Sequence, residues 1–510
     1  PLTVPNPATV TVSAVLSSNS LVSASATVTV VAPAAGNIFH VATTGNDANT
    51  GTSAAAAWKT IQHAANTVQA GDTVYIHAGT YNESVTIGVS GSATAGPVTF
   101  QSAPGEQAII DGTSLTPSTS DVQGLINIVS RTYVTISGLE IQNFQTSNAN
   151  AVPAGIWITG SGSNIQILNN SVHNIVTTSE ANGNAFGIAV YGSGSTALDQ
   201  VTLSGNEVFN LKTGESESVN VDGNVTNFVI SHNLIHDNDN IAIDAIGFEG
   251  VGPSAVDFAR NGEISDNTIY NISAKNNAGE GNDYDANGIY VDGGSQIVIE
   301  RNVIHNVDIG IEMASEHSGH NTTLVTARDN VVYNANAVGI SIGGYANNVG
   351  GTDSCTIVNN TLFENDTKNT GSGEFQIQFH ATNNVFKNNI VYSTSQGLLI
   401  DNFTNSTPDP VVSDFNIFFS AGGAASADFM WVGGDHSGLA AFQSASGNDA
   451  HSQFIDPQFL SLTTPDLRIS ATSPAIGSGS DLGTSVLGAT DLAGNARVTG
   501  SSVDAGAYQQ

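Results

Sequence analysis

The chain has 510 residues, 40% of them hydrophobic, so its length would allow two to four domains with a sizeable buried core. Only 11 Lys and Arg face 44 Asp and Glu, which gives a formal net charge of −33. A surface of that sign repels nucleic acids and anionic membranes and disfavours polyanionic polymers unless a metal ion bridges them, so neutral partners are favoured.

Two alternating segments, residues 9–12 and 26–30, begin the chain and predict a pair of β-strands around a Ser/Asn turn. Two strands do not make a stable sheet alone. The pair resembles the last hairpin of a bacterial immunoglobulin-like domain, so we predict a partial domain of that kind over residues 1–33. A Pro/Ala/Gly linker is expected at residues 32–36. Because the chain begins at Pro1 without Met, we expect a trimmed export product.

Residues 58–68 have helical spacing, with one largely apolar face. Ser53 is the expected N-cap and Gly71 the expected end of this helix. An apolar face here predicts a cap that covers the open end of a strand stack. The residues of that face are Trp58, Ile61, Ala64, Ala65 and Val68.

A short pattern, Asn followed by alternating aliphatic and polar residues, recurs eight times in the middle of the chain. The copies are 27 to 36 residues apart, which is typical of one supersecondary unit that repeats with loop insertions. Such recurrence favours internal ladders in which Asn side chains hydrogen-bond the turn backbone. The eight residues are Asn170, Asn206, Asn233, Asn267, Asn302, Asn330, Asn360 and Asn389.

A second family of strands lies between these copies, many of them beginning with Gly-Ile. Their aliphatic residues should point inward and the residues between them outward. The fold class predicted is all-β, a right-handed parallel β-helix over residues 34–410. We expect C-terminal coils and a closing segment over residues 411–510, with the closing segment shielding the other end of the stack.

Two outward columns of side chains follow from this alignment. Asp244 and Asp292 would stand side by side on strands about 4.8 Å apart, which is costly for two carboxylates unless one is protonated or a cation or substrate is bound. An ordinary solvated strand face is the alternative. The first column is Trp157, Ala189, Ala242, Tyr290, Glu312, Ser341, Gln378 and Leu399. The second is Thr159, Tyr191, Asp244, Asp292, Ala314, Gly343, His380 and Asp401.

The longest insertions, residues 248–261 and 274–287, flank this acidic part of the stack and carry further acids. Glycoside hydrolysis needs two carboxyl groups, about 5–5.5 Å apart for retention of configuration and about 6.5–9.5 Å apart for inversion. Asp292 on the groove floor with a second acid on a neighbouring coil or an entering loop fits the shorter distance better. We therefore expect a retaining glycoside hydrolase acting on a largely neutral glycan.

Residues 283–294, Asp-Tyr-Asp-Ala-Asn-Gly-Ile-Tyr-Val-Asp-Gly-Gly, resemble the catalytic stretch of the β-helical lacto-N-biosidases. These are retaining hydrolases whose two essential Asp residues stand seven positions apart. The resemblance, which covers residues 240–320, implies Asp285 as general acid and Asp292 as nucleophile, without that family's sugar specificity. Further residues are expected to bind substrate or tune pKa values. They are Asp244, Glu249, Glu312, Glu316, His317, Trp157, Tyr191, Tyr290 and His380.

Other sites carry less weight. No cofactor is expected, although Glu280, Asp283 and Asp285 offer oxygen ligands suited to calcium. Zinc at Glu316, His317 and His320 is disfavoured because the spacing is not that of a metalloprotease helix. Cys355 is expected to be a small buried hydrophobe.

Two alternative functions stay open, a calcium-assisted polysaccharide lyase or epimerase and a non-catalytic glycan-binding adhesin. Few charges, one Cys and many Asn, Thr, Ser and Gly suit a bacterial protein that is secreted or at the cell surface. We expect a monomer with a glycan substrate, without nucleic-acid binding or membrane insertion.

Overall fold

The structure is a computed structural model that describes residues 8–16, 19–30, 36–179, 181–393, 396–404, 410–500 and 502–510. Ala8–Leu16 and Asn19–Val30 pair antiparallel, as the alternation predicted. Their assignment to an immunoglobulin-like domain stays a prediction. The predicted linker lies mostly outside the described residues, at residues 32–35.

From residue 36 onward the chain coils as a right-handed parallel β-helix, and the predicted fold class is confirmed. Each coil contributes one strand to each of three long sheets, named here sheets A, B and C. Each strand pairs with the equivalent strands of the coils before and after it, so residues about 30 positions apart become neighbours.

The strands of the three sheets follow in chain order. Sheet A consists of Ile38–Val41, Thr73–Ile76, Val98–Ser102, Thr132–Ser137, Gly162–Leu168, Leu198–Ser204, Val225–Thr226, Val229–Ser231, Glu263–Ser265, Val298–Glu300, Thr326–Arg328, Thr356–Val358, Asn384–Lys387 and Val411–Asp414. Sheet B consists of Gly79–Tyr81, Ala108–Asp111, Leu139–Thr146, Ser171–Thr177, Glu207–Phe209, Leu234–Asn238, Thr268–Ile272, Val303–Val307, Val331–Tyr333, Thr361–Phe363, Ile390–Ser393, Ile417–Ser420 and Gln453–Phe454. Sheet C consists of Val85–Thr86, Val122–Val129, Val152–Thr159, Phe186–Gly192, Val219–Gly223, Ile243–Ile246, Asn287–Asp292, Ile309–Ala314, Val338–Ile342, Phe375–Ile377, Leu398–Asn402, Asp428–Trp431 and the antiparallel Gly434–Ser437.

Shorter elements decorate this stack. The other strands are Asn321–Thr323, Gly351–Asp353 and Ala381–Thr382 in one small sheet, and Phe459–Ser461 with Asp466–Ile469 in another. The α-helices are Ile61–Thr67, Leu439–Ser446 and Thr484–Leu487, and the 3-10 helices are Ala54–Ala56, Ala274–Asn276 and Ala424–Ser426. Within the described ranges, no helix has both the length and the apolar composition needed to cross a membrane.

The core is a continuous column of aliphatic side chains inside the coils, which extends from Val41 to Phe442. Equivalent residues stack from coil to coil, as Ile230, Ile264 and Ile299 do in sheet A. Each fully buried side chain of this size contributes roughly 1.5–3 kcal/mol. Cys355 is fully buried within the same column, as expected for a small hydrophobe.

The predicted Asn ladder is confirmed. The side-chain carbonyl of each rung accepts hydrogen bonds from the backbone N–H and the side-chain amide of the preceding rung, at 2.9–3.2 Å. The residue before a rung has left-handed backbone, as in Asp266 (φ 57°) and Arg301 (φ 54°), which turns the chain sharply from sheet A to sheet B. Asn416 adds a rung that the repeat did not reveal.

The N-terminal helix Ile61–Thr67 covers the first coil with the predicted apolar face, which is buried. Its N-cap is Thr60 and not Ser53, because the Thr60 hydroxyl accepts a hydrogen bond from the His63 N–H. The Glu83 carboxylate accepts hydrogen bonds from two further backbone N–H groups of the first turn, those of Ile61 and Gln62. The helix ends before Gly71, at Thr67.

The C-terminal part differs from expectation. Helix Leu439–Ser446, whose Phe442 packs on Phe429 and Trp431, lies over the last coil. The predicted closing segment runs instead along the flank of the stack, where Arg497 forms a buried ion pair with Asp329. That segment therefore covers the outer face of sheet B and neighbouring turns rather than the end.

Candidate functional site

A cavity of about 530 Å³ opens on the outer face of sheet C, where the insertions after Ile243–Ile246 and before Asn287–Asp292 rise beside it. Its volume falls within the range usual for small-ligand sites. Among the residues that the structure describes, its lining includes eight carboxyl groups and neither Lys nor Arg. The eight acids are Glu215, Glu217, Asp222, Asp244, Glu249, Glu280, Asp292 and Glu316.

Three adjacent strands of sheet C form the floor and carry Asp222, Asp244 and Asp292. The predicted pairing of Asp244 with Asp292 is wrong by two residues, since Asp244 pairs with Tyr290 and Ala245 with Val291. Asp292 lies two residues beyond Tyr290 on its strand, diagonal to Asp244. A slip of two residues leaves both side chains on the outer face, because strand side chains alternate with period two.

The shift in register and an irregularity in one strand also change which residues belong to the predicted outward columns. Ala242 precedes its strand and belongs to the core, and Gln376 rather than Gln378 pairs with Ser341. Leu399 is also buried in the core, because an irregularity between Leu398 and Ile400 shifts the register of that strand.

Asp292 is buried at the cavity floor, with 3% of its surface exposed. The Glu316 N–H donates to Asp292 Oδ1 over 2.8 Å. Burial, followed by the charge of Glu316, raises the Asp292 pKa well above its usual value. The hydrogen bond acts in the opposite direction, because it favours the ionised carboxylate.

Asp222 and Asp244 are equally buried, and each has one side-chain oxygen without a hydrogen-bond partner. Burial, followed by the charge of Glu217, raises the pKa of Asp222 to about 8. Burial and the charges of Glu217 and Asp292 raise the pKa of Asp244 well above its usual value. These two carboxyls therefore favour the protonated form when no ligand compensates them.

Two amide–carboxyl contacts complete the wall. Asn220 Nδ2 donates to Glu217 Oε2 over 2.7 Å, and Asn240 Nδ2 donates to Glu280 Oε1 over 2.9 Å. Burial raises the pKa of Glu217 to about 7. Sequence reasoning missed Glu217 and Asp222 because their coil, with strand Val219–Gly223, lacks the Gly-Ile start; its Val-x-Val alternation was the available signal.

Asp285 does not line the cavity. It precedes strand Asn287–Asp292, and at about 3.3 Å per residue the strand places the Cα atoms of Asp285 and Asp292 on the order of 20 Å apart. Burial and the charge of Glu280 raise the Asp285 pKa to about 7. Asp285 therefore does not accompany Asp292 in the cavity lining, and the role of general acid that the resemblance implies for it stays a prediction.

Aromatic residues border the acidic floor. Tyr191, Tyr290 and Phe186 line the cavity. Trp157 does not belong to the lining, and its ring centroid lies 4.7 Å from that of Tyr191, so it packs against the cavity wall.

Of the remaining predicted residues, Glu312, Glu249 and Glu316 lie at or beside the cavity, and His380 lies outside it. Glu312 stands beside Tyr290 and accepts a hydrogen bond from Asn287 Nδ2 at 2.9 Å; burial raises its pKa to about 7. Glu249 and Glu316 line the cavity. His380 does not belong to the lining, and its Nε2 lies 3.0 Å from the Asn347 carbonyl in a separate turn.

Comparisons with known proteins agree with this architecture. A family profile described as "Right handed beta helix region" matches residues 154–362. The uncharacterised protein YwoF of Bacillus subtilis (strain 168) is 36% identical over 444 residues, which cover 86% of this chain and 92% of YwoF. The chain belongs to the right-handed β-helix family, together with YwoF.

Solved structures share the fold of this β-helix protein at low identity. Pectate lyase Pel9A has a TM-score of 0.52 at 14% identity, covering 94% of this chain and 98% of its own. XylC in complex with xylose has a TM-score of 0.50 at 13% identity, covering 92% and 98%. The GH136 lacto-N-biosidase from Eubacterium ramulus has a TM-score of 0.49 at 14% identity, covering 75% and 64%. At such identities the likeness shows the fold alone.

One group of side chains in the described part of this β-helix could hold a metal ion, with ligand atoms of Glu249, Asp292 and His317 within 4.8 Å of one another. His317 Nε2 lies 3.0 Å from Glu249 Oε1 without the geometry of a hydrogen bond. An imidazole with two carboxylates suits a divalent transition metal better than calcium. The acids around Asp283, considered for calcium, and the set that includes His320, disfavoured for zinc, do not form such a group within the described residues.

Proposed function

We propose that this protein is a glycoside hydrolase that binds a glycan without acidic groups in the cavity on sheet C. The observation that carries the proposal is the convergence of Asp244 and Asp292, two buried carboxyls on adjacent strands, in a cavity whose described lining has no basic side chain. A base-catalysed lyase of the Lys or Arg type would lack its base there. Two acids with perturbed pKa values are what glycosidic bond cleavage needs.

The surroundings of the two acids assign their roles. Asp292 accepts the Glu316 N–H, which offsets part of the effect of burial on its pKa and suits a nucleophile. Asp244 has an oxygen without a partner and a raised pKa, which suits a proton donor. Asp244 therefore takes the role of general acid that the sequence resemblance gave to Asp285.

Strand spacing sets the distance between these acids. One strand across and two residues along place their Cα atoms about 8 Å apart, with both side chains on the same face. We propose that the carboxyl groups close to the retaining distance around a bound sugar. The Asp292 carboxylate would attack the anomeric carbon while the Asp244 proton passes to the leaving oxygen. Asp244 would then deprotonate the water that releases the sugar from Asp292.

Neighbouring groups complete the proposed site. Tyr191, Tyr290 and Phe186 offer apolar surface to sugar rings. Glu316 lies close to the reacting acids, where its charge contributes to the raised pKa values of Asp292 and Asp244, and Glu312 stands beside Tyr290. We propose that the protein acts as a monomer outside the cell, in keeping with its composition.

A screen of aryl glycosides and oligosaccharides, with wild type and three isosteric variants, tests the proposal. Asp292→Asn and Asp244→Asn should each lower kcat by at least about 10³-fold, since both act in the transition state. Asp285→Asn is the matched control and should retain activity. Proton NMR of the first product should show retained anomeric configuration. A fully active Asp292→Asn protein would exclude Asp292 as the nucleophile, and no cleavage by wild type across the screen would exclude the hydrolase and favour a binding protein.

The group Glu249, Asp292 and His317 favours a second candidate, a metal-assisted polysaccharide lyase or epimerase. In that case Asp292 would be a metal ligand, and acidic sugars could bind through the ion. This candidate predicts unsaturated products that absorb in the ultraviolet and loss of activity with a chelator. The hydrolase predicts neither result.

A further inference from the structure

Two buried carboxyl groups elsewhere in this protein have cationic partners. Asp329, fully buried, pairs with the equally buried Arg497. Glu300 lies between Arg301 and Arg328. Within the part of the chain that the structure describes, these pairs show how the fold stabilises a charge removed from water.

No cation pairs with Asp222 or Asp244 among the described residues that line the cavity. The two residues are 2% and 3% exposed, and each has a side-chain oxygen without a hydrogen-bond partner. Their nearest charged neighbours are other acids, among them Glu217 and Asp292. An unpartnered buried carboxyl is costly, and several together raise the cost further. Without a ligand a proton neutralises these carboxyls, and a cationic ligand group would allow them to ionise.

The chemistry of the wall restricts that ligand. Ionised carboxylates only accept hydrogen bonds, so the ligand groups that face them must donate. Neutral sugar hydroxyls donate and accept equally and bring no charge. An ammonium group brings three donors, no acceptor and a positive charge.

The acidic side chains also cover more of the cavity wall than a single ion could contact. Glu215 and Glu280 line the same cavity as Asp292 and Glu316, and its volume of about 530 Å³ suits a ligand of several rings. A single metal ion at Glu249, Asp292 and His317 would leave Asp222 and Asp244 outside the ligand group.

We propose that the glycan bound in this cavity contains amino sugars with free, protonated amines, and that Asp222 is the specificity residue that receives an ammonium group. This inference rests on the proposed hydrolase function and names its substrate class. A charge-assisted hydrogen bond to a buried carboxylate should favour the free amine over its N-acetylated form by about 10- to 100-fold.

The test uses paired oligosaccharides of glucosamine and of galactosamine, in α and β linkages, each with free amines and fully N-acetylated. Cleavage is measured with wild type, and binding is measured by calorimetry with Asp292→Asn. The expected result is a preference for the free amine of at least about tenfold in kcat/KM or Kd. Asp222→Asn should reduce that ratio, mainly through KM, whereas the control Asp285→Asn should leave it unchanged.

The outcomes separate the two proposals. Equal use of both members of each pair, or exclusive use of N-acetylated members, would overturn the amino-sugar inference and leave the hydrolase intact. Preferential binding of free amines without cleavage would support the amino-sugar inference and contradict the proposed hydrolase function. No preference in calorimetry would refute the inference even without turnover. Binding that EDTA abolishes and Mn²⁺ or Zn²⁺ restores would show that a metal is the compensating cation, which also overturns it.

Discussion

Replacing Asp222 by Asn should stabilise the protein at neutral pH, although the substitution changes a cavity residue. Burial, followed by the charges of Glu217 and Glu249, raises the Asp222 pKa from 3.8 to about 8. The folded chain therefore holds this proton more tightly than the unfolded chain does. As the pH rises from about 4 to 8, the unfolded chain gains the free energy of ionisation and the folded chain does not, so the acid progressively destabilises the fold.

The size of the effect follows from the two pKa values. At pH 7 the unfolded carboxyl is about three units above its pKa, which corresponds to about 4 kcal/mol at 1.36 kcal/mol per unit. This is an upper bound, because Glu217 shares the same repulsion and water in the cavity screens it. We expect Asp222→Asn to increase the free energy of unfolding by about 2 kcal/mol at pH 7 and by about zero at pH 4.

Urea unfolding, followed by circular dichroism between pH 4 and pH 9, measures this difference. Asp111→Asn is the matched control of opposite sign. Burial alone would raise the Asp111 pKa, but hydrogen bonds from Thr113, Asn143 and Gln142 lower it. That control should destabilise the fold above about pH 4 and lose its effect on acidification. The reasoning fails if Asp222→Asn is no more stable than wild type at pH 8, or equally stabilising at pH 4.

Three further substitutions or treatments test the scaffold. Asn302→Ala removes a ladder rung and leaves partners such as Asn267 unpaired, so urea unfolding should show a loss of about 3–5 kcal/mol; a loss below about 1 kcal/mol would contradict the ladder's role. Arg497→Met should cost about 3–5 kcal/mol by leaving Asp329 uncompensated, and adding Asp329→Asn should recover most of that loss in the same assay. Burial raises the Cys355 pKa to about 12, so iodoacetamide at pH 8 should label the thiol only after denaturation, as mass spectrometry would show.

The repeat made the fold readable from the sequence. The Asn ladder follows from the recurrence of one residue at 27 to 36 positions, since only a coil brings those residues together. Alternation also identified the outer face of sheet C, on which Tyr191, Tyr290 and Asp292 lie.

The alternation of apolar and polar residues does not predict the register between neighbouring strands of that face. Alternation fixes which face a side chain occupies but not its partner on the next strand, and a slip of two residues leaves the pattern intact. Asp244 was therefore placed beside Asp292 rather than beside Tyr290. The strand Val219–Gly223 has no distinctive start, so Asp222 went unnoticed. Asp285 shows a second limit of the sequence pattern. Residues a few positions apart along an extended strand lie far apart in space.

The uniformity of the Asn ladder has a consequence for how such proteins change over time. Every rung offers its neighbours the same donor and acceptor, so the hydrogen bonds of the ladder do not depend on the number of coils. A duplication or loss of one whole turn would meet matching bonds on both sides. The outer face of sheet C could thus be lengthened or shortened in steps of about 4.8 Å without redesign of the interior.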